Sequence, residues 1–288
     1  MRSMELMRPA GGVLRAYDSG PTGRVDELAV FWHGGTPNIG IPPEPLMGPA
    51  PELGIRFLGA DRPGYGGTSR DPDADVADVL PDVLAVADAC GVGRFAVLGH
   101  SGGGPRVLAC AALAADRVLA AVAISSPAPA GAEGLERFAG MAPGIVAEQR
   151  AVVEGREALL ALLAADGFEE SAFTASDWAA LRGPWAWFGP IVEAATDSGP
   201  DGQVDDLLAA GRPWGFDLAA IPTPVLLVHG AEDRMVPASH GAWLADRIPA
   251  AELWIIPGAG HVSVLADSTR VLAELRRRAA DPGALEAD

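Results

Sequence analysis

The sequence predicts an α/β protein: a mostly parallel sheet flanked by helices, with a helical unit inserted late in the chain. Three observations predict it. Six short apolar runs, 28–32 (LAVFW), 56–60 (RFLGA), 95–98 (FAVL), 119–124 (LAAVAI), 224–228 (PVLLV) and 252–256 (ELWII), are rich in Val, Ile, Leu and aromatics. Strands covered on both faces read this way, because neither face meets water. Helix-length stretches separate the runs, at 74–90, 102–114, 239–247 and 264–279. Finally, the interval from Pro127 to Phe216 is far too long for one crossover connection.

Each element has its own reason. Residues 13–18 form an expected antiparallel edge strand ahead of the parallel series. Pro81 lacks an amide hydrogen, so the helix of 74–90 starts late or kinks there. The long interval carries helical signal at 144–153, 156–165 and 177–181, punctuated by Gly and Pro, and is expected to be a helical cap. The expected division is therefore a core of 1–126 and 217–288 and a cap of 127–216. Within the cap Trp178, Trp185, Trp187 and Phe188 lie close together in sequence. They are either the cap's own core or the lining of a substrate pocket. The Asp/Ala/Gly-rich tail after Arg278 is expected to fray.

Composition excludes several function classes. With Lys+Arg 21 against Asp+Glu 38, the 288-residue chain carries −17, which repels phosphate backbones and anionic headgroups. No nucleic-acid or membrane partner is expected. Cys90 and Cys110 sit in apolar, Ala-rich stretches and read as buried free thiols, with no metal-ligand spacing around them. No metal and no organic cofactor is indicated. Every basic residue is Arg, so no lysine is present for Schiff-base chemistry. Glu5, Arg8 and Pro9 stand where a signal peptide needs an apolar run, and the expected location is cytoplasmic.

The chemistry centres on Gly99-His100-Ser101-Gly102-Gly103, which follows the run FAVL and precedes a helical run. A sharp strand-to-helix turn needs glycine where backbones approach closely. It exposes the Ser101 hydroxyl at the carboxyl edge of the sheet, at a helix N-terminus that favours negative charge. A serine needs a general base held in one tautomer by a carboxylate. Of the five histidines, His261 alone follows a strand through a Pro-Gly-Ala-Gly loop at that same edge. Asp233, just after the run PVLLV, is the orienting acid, with its neighbour Glu232 the alternative. An oxyanion needs two backbone N–H donors. Gly102 is one, and Gly35 in His33-Gly34-Gly35-Thr36-Pro37 is the other, with Thr36 in reserve.

With these motifs in this order, the chain resembles the α/β-hydrolase superfamily of serine hydrolases. The resemblance also takes in Asp61-Arg62-Pro63-Gly64-Tyr65-Gly66-Gly67-Thr68-Ser69, which looks like the family's structural turn, and Gly230-Ala231-Glu232-Asp233-Arg234-Met235-Val236-Pro237. It implies an eight-stranded core with a cap after the sixth strand. Members resembling epoxide hydrolases and haloalkane dehalogenases carry an Asp where this chain has Ser101. Carbon–carbon hydrolases of the meta-cleavage type carry Trp where Val262 stands. The leading expectation is a serine hydrolase of a small carboxylic ester, lactone or thioester, working as monomer or homodimer on a small-molecule substrate. An iminopeptidase or amidase using Glu154, Glu157, Glu169 and Glu170 to hold an amino group is the alternative. A non-catalytic ligand-binding protein on the same fold is the second.

Overall fold

Eight strands form one sheet in a computed structural model that describes residues 1–165 and 169–280. They are β1 (Arg2–Met7), β2 (Val13–Asp18), β3 (Leu28–His33), β4 (Ile55–Ala60), β5 (Phe95–His100), β6 (Val118–Ile124), β7 (Val225–Gly230) and β8 (Ala251–Ile256). Their order across the sheet is β1-β2-β4-β3-β5-β6-β7-β8. β1 and β2 run antiparallel to their neighbours, and the pairings from β4 through β8 are parallel. β3, β5 and β7 are buried along their whole length, which is why their sequences are continuous apolar runs. β1 was not foreseen. Its residues are mostly exposed or half-buried, so an edge strand hydrogen-bonded only to β2 needs no apolar run and leaves no such signal.

Alternation along the strands sends side chains to two layers. Phe31, Val97 and Leu227 face one side and pack with Val83, Val107 and Leu244. These last come from α2 (Val79–Ala89), α3 (Gly104–Leu113) and α9 (Ala238–Ala245). Val30, Trp32, Leu98 and Val228 face the other side, against α1 (Glu44–Met47) and α10 (Ser268–Ala280) through Leu46, Leu272 and Leu275. Each such side chain contributes about 1.5–3 kcal/mol when fully buried. α2 does start late, at Val79, and Pro81 falls in its first turn, where amide hydrogens have no helical acceptor. α10 runs to Ala280, two residues past Arg278; residues 281–288 lie outside the described residues.

Between β6 and β7 the chain runs through α4 (Pro143–Glu154), α5 (Arg156–Ala164), α6 (Ala175–Leu181), α7 (Phe188–Thr196) and α8 (Asp201–Gly211). α4, α5 and α8 share a small core of Ala151, Leu159 and Val204. α8 was invisible to periodicity because its buried positions include Asp205 and Asp206 beside Val204 and Ala209. The four aromatics of this segment act as packing. Trp185 is 3% exposed and stacks on Phe188 at 5.6 Å against the sheet, Trp187 joins Ile39, Tyr65 and Ile191, and Trp178 meets Phe173 at 5.2 Å. Among the described residues no helix is long and apolar enough to cross a membrane.

Candidate active site

β5 ends at His100, and the chain turns sharply through Ser101 into α3. Ser101 has φ 54°, left-handed backbone that costs a non-glycine residue of order 1–3 kcal/mol and recurs at functional sites. The flanking glycines make the turn possible. A Cβ on Gly103 would lie 2.1 Å from the His33 carbonyl oxygen, and one on Gly102 would lie 2.4 Å from Thr36 Oγ1. The loop after β3 is thus pressed against the elbow. At Gly35 an added Cβ would sit 3.2 Å from Ser101 Cβ.

His261 follows β8, and its Nδ1 lies 2.8 Å from Asp233 Oδ2. The other oxygen of Asp233 accepts from the Met235 and Val236 amides at 2.9 Å each, so the carboxylate cannot rotate. Glu232, by contrast, is exposed. His100 Nε2 donates to the His261 carbonyl at 2.8 Å, pinning the histidine loop to the residue before Ser101. A carboxylate from α6 holds the same loop: Asp177 Oδ1 accepts from the Val262 and Ser263 amides at 2.9 and 2.7 Å. Sequence reading missed Asp177, although its local signal, the capping box with Thr174, was there to be read.

These surroundings separate the five histidines. Burial disfavours a charged His261, yet the charge and hydrogen bond of Asp233, with Asp177 beyond, hold its pKa above the ordinary histidine value. Asp233 shows the converse: burial would raise it, but His261 and His229 and the amide hydrogen bonds bring it down to about 2. Burial pushes His33 and His100 down to about 3 and His240 to about 4, and lowers His229 as well. His261 is therefore the histidine suited to exchange a proton near neutrality.

On the opposite side of Ser101 stands a buried charge cluster. Arg62 donates to the Gly34 and Gly35 carbonyls at 2.7 and 2.6 Å and to both oxygens of Asp206 at 3.0 and 2.7 Å. Arg106 donates to the Gly102 carbonyl at 2.8 Å and to Asp206 Oδ1 at 2.7 Å. Thr36 Oγ1 and the Tyr65 hydroxyl complete the shell of Asp206, at 2.5 and 3.2 Å. Sequence reading took Arg62 as part of a structural turn and left Asp206 unread. Asp61 does serve that turn, accepting from the Gly40 and Gly67 amides at 2.7 and 3.0 Å.

A cavity of about 480 Å³ opens between Ser101 and the inserted helices, in the size range of small-molecule sites. Ser101, Gly102 and Thr36 line one end, and Ile145, Val152, Leu162, Leu163, Leu207 and Phe173 supply apolar walls. Arg137, Glu148, Gln149 and Gln203 are polar points in it. Trp178, Trp185, Trp187 and Phe188 are not among its lining residues, because each is committed to the packing described above. Of the four glutamates expected to hold an amino group, Glu169 borders the cavity, but it accepts from the Gly144 amide and from Ser171. Glu154, Glu157 and Glu170 are exposed and outside its lining.

The sheet order, the left-handed serine between β5 and α3, and the bonded acid and histidine after β7 and β8 form one arrangement. The family model of the alpha/beta hydrolase fold matches residues 30–267. The chain belongs to the α/β hydrolases. A stretch of 224 residues is 28% identical to 2-hydroxymuconate semialdehyde hydrolase of Pseudomonas putida, covering 72% of this chain and 70% of that one. The esterase RhEst1 of Rhodococcus sp. ECU1013 superposes with a TM-score of 0.70 at 23% identity, over 98% of this chain and 100% of the other. An enol-lactonase of Burkholderia xenovorans LB400 does so at 0.68 and 20%, over 94% and 99%. This α/β hydrolase is an enzyme, and its eight-stranded sheet has the expected architecture.

Proposed function

We propose that the protein hydrolyses small carboxylic esters, with lactones and thioesters in the same class, through an acyl-enzyme on Ser101. The observation that carries this reading is the His261–Asp233 hydrogen bond of 2.8 Å, on a loop tied to the residue preceding a strained serine at the end of the cavity. Ser101 Oγ attacks the acyl carbon as its proton passes to His261 Nε2, the nitrogen not bonded to Asp233. The carbonyl oxygen becomes an oxyanion bound by the Gly35 and Gly102 amides. Collapse breaks the bond to the leaving alcohol, which takes the proton from His261. Water then repeats the sequence, releases the acid and restores Ser101.

In this reading residues 127–216 act as a cap over the cavity, and the apolar walls favour a short acyl or alkyl group. The iminopeptidase alternative draws no comparable support, since its four glutamates are exposed or already hydrogen-bonded. The test is labelling with a fluorophosphonate probe together with turnover of p-nitrophenyl butyrate. The expected result is labelling at Ser101 and loss of turnover by about 10⁶-fold in Ser101→Ala. Wild-type turnover in that variant would end the proposal. Folded protein that neither labels nor turns over esters would instead favour a ligand-binding role.

A further inference from the structure

Resting on the hydrolase reading above, we infer that the buried Arg62–Asp206–Arg106 cluster, anchored on Asp206 of the inserted segment, is a positioning device that orients the residues of both oxyanion donors and polarises the Gly35 amide. The geometry is specific to those donors. The Gly34 carbonyl gripped by Arg62 belongs to the same peptide unit as the Gly35 N–H. Its hydrogen bond fixes the plane of that unit and draws electron density toward the carbonyl. The amide becomes a stronger donor, as in any chain of hydrogen bonds. Arg62 also holds the Gly35 carbonyl, so the loop is gripped on both sides of the Gly35 α-carbon. Arg106 holds the Gly102 carbonyl, on the residue that supplies the second donor. Both guanidiniums meet on Asp206, a residue of α8, whose neighbour Leu207 lines the cavity.

A fold staple alone does not account for the stoichiometry. Two buried guanidiniums face one carboxylate, at exposures of 8%, 3% and 4%. Asp71, Asp75, Asp78 and Asp205 line the same recess, yet Asp206 is the carboxylate that hydrogen-bonds both guanidiniums. An oxyanion on Ser101's substrate adds a further negative charge near the pair, and it exists only during the reaction. The field is already felt at His33, where burial and then the charges of Arg62 and Arg106 keep the imidazole neutral. Fixed charge aimed at developing charge is the arrangement that stabilises transition states most.

The test is Arg62→Lys, which keeps the charge but cannot span two carbonyls and a carboxylate. The expected result on p-nitrophenyl butyrate is a fall in kcat of about 10²-fold with KM within about threefold. In ¹⁵N-glycine-labelled protein the Gly35 amide proton is expected to move upfield, a readout that needs no turnover. Arg70→Gln cuts the neighbouring ion pair to Asp205 on the same helix and is expected to leave kcat within about twofold. If Arg62→Lys does not fold, Thr36→Val breaks the loop's tie to Asp206 without stranding a charge, and about a tenfold fall in kcat is expected. Folded Arg62→Lys with wild-type kcat and an unmoved Gly35 amide overturns the inference. A moved Gly35 amide in a protein whose Ser101 never reacts with the fluorophosphonate upholds the positioning role and refutes the ester-hydrolase reading instead.

Discussion

The two sides of Ser101 are built from opposite charge. On the His261 side Asp233 bonds the imidazole and Asp177 bonds the amides of the next two residues; on the Gly35 side two guanidiniums share one carboxylate. In the proposed mechanism the His261 side receives a proton and the Gly35 side an electron pair, the sense in which acyl transfer through a serine separates charge. In each half one carboxylate comes from the inserted helices, Asp177 from α6 and Asp206 from α8. The segment therefore reaches the surroundings of Ser101 on both sides as well as the cavity.

The comparison breaks first at Asp233. Asp233→Asn leaves the shape of the His261 side and removes its charge, and kcat is expected to fall by about 10⁴-fold. The acid limb of the pH profile should move with it. In the proposed mechanism His261, whose pKa is raised, works as the free base, so activity is expected to fall as pH drops through a value above 6.5. In Asp233→Asn the limb should shift to lower pH; a limb that stays put assigns it to another group. Asp177→Asn keeps an acceptor for the Val262 and Ser263 amides but lowers the negative charge near His261. A smaller acid shift of the same limb and a loss of kcat of about tenfold are expected.

Two further measurements concern stability. Trp185→Ala is expected to destabilise the fold by about 3–5 kcal/mol in denaturant titration while leaving the preference among acyl chain lengths unchanged. A changed preference would return the aromatic cluster to the pocket. Asp206 is held at about 2: burial would raise it, but Arg106 and Arg62 outweigh burial. Its contribution is present in full above the ordinary value of 3.8 and is lost as pH falls toward 2. Acid unfolding in that window should be weaker in Thr36→Val, which removes one of the bonds to the ionised carboxylate.

Much of the placement of Ser101, Asp233 and His261 was legible in advance. Ser101, Asp233 and His261 each follow an apolar strand, and position along the chain was enough to bring them to one sheet edge. The approach of the 33–37 loop to Ser101 was legible for the same reason, through its glycines after β3. The partners of that loop were not, since Arg62 lay inside a turn motif and Asp206 on a helix whose buried face is partly acidic. The aromatic cluster shows the opposite failure. Sequence proximity of Trp178, Trp185, Trp187 and Phe188 left pocket and packing equally open, and what decides it is that they pack on one another and on distant residues such as Ile39 and Tyr65.

The sequence by itself determined the parallel sheet, the helical insertion and the edge at which the serine, acid and histidine gather. Those follow from solvation and backbone sterics, which act locally and leave a periodic or positional trace. Only the tertiary structure decided which histidine gains proton affinity, which charges share a burial site and which walls enclose the cavity. These depend on distances between residues such as Arg62 and Asp206, separated by 144 positions. Coulomb energy and desolvation are set by what surrounds a group in space, and no spacing along the chain records it.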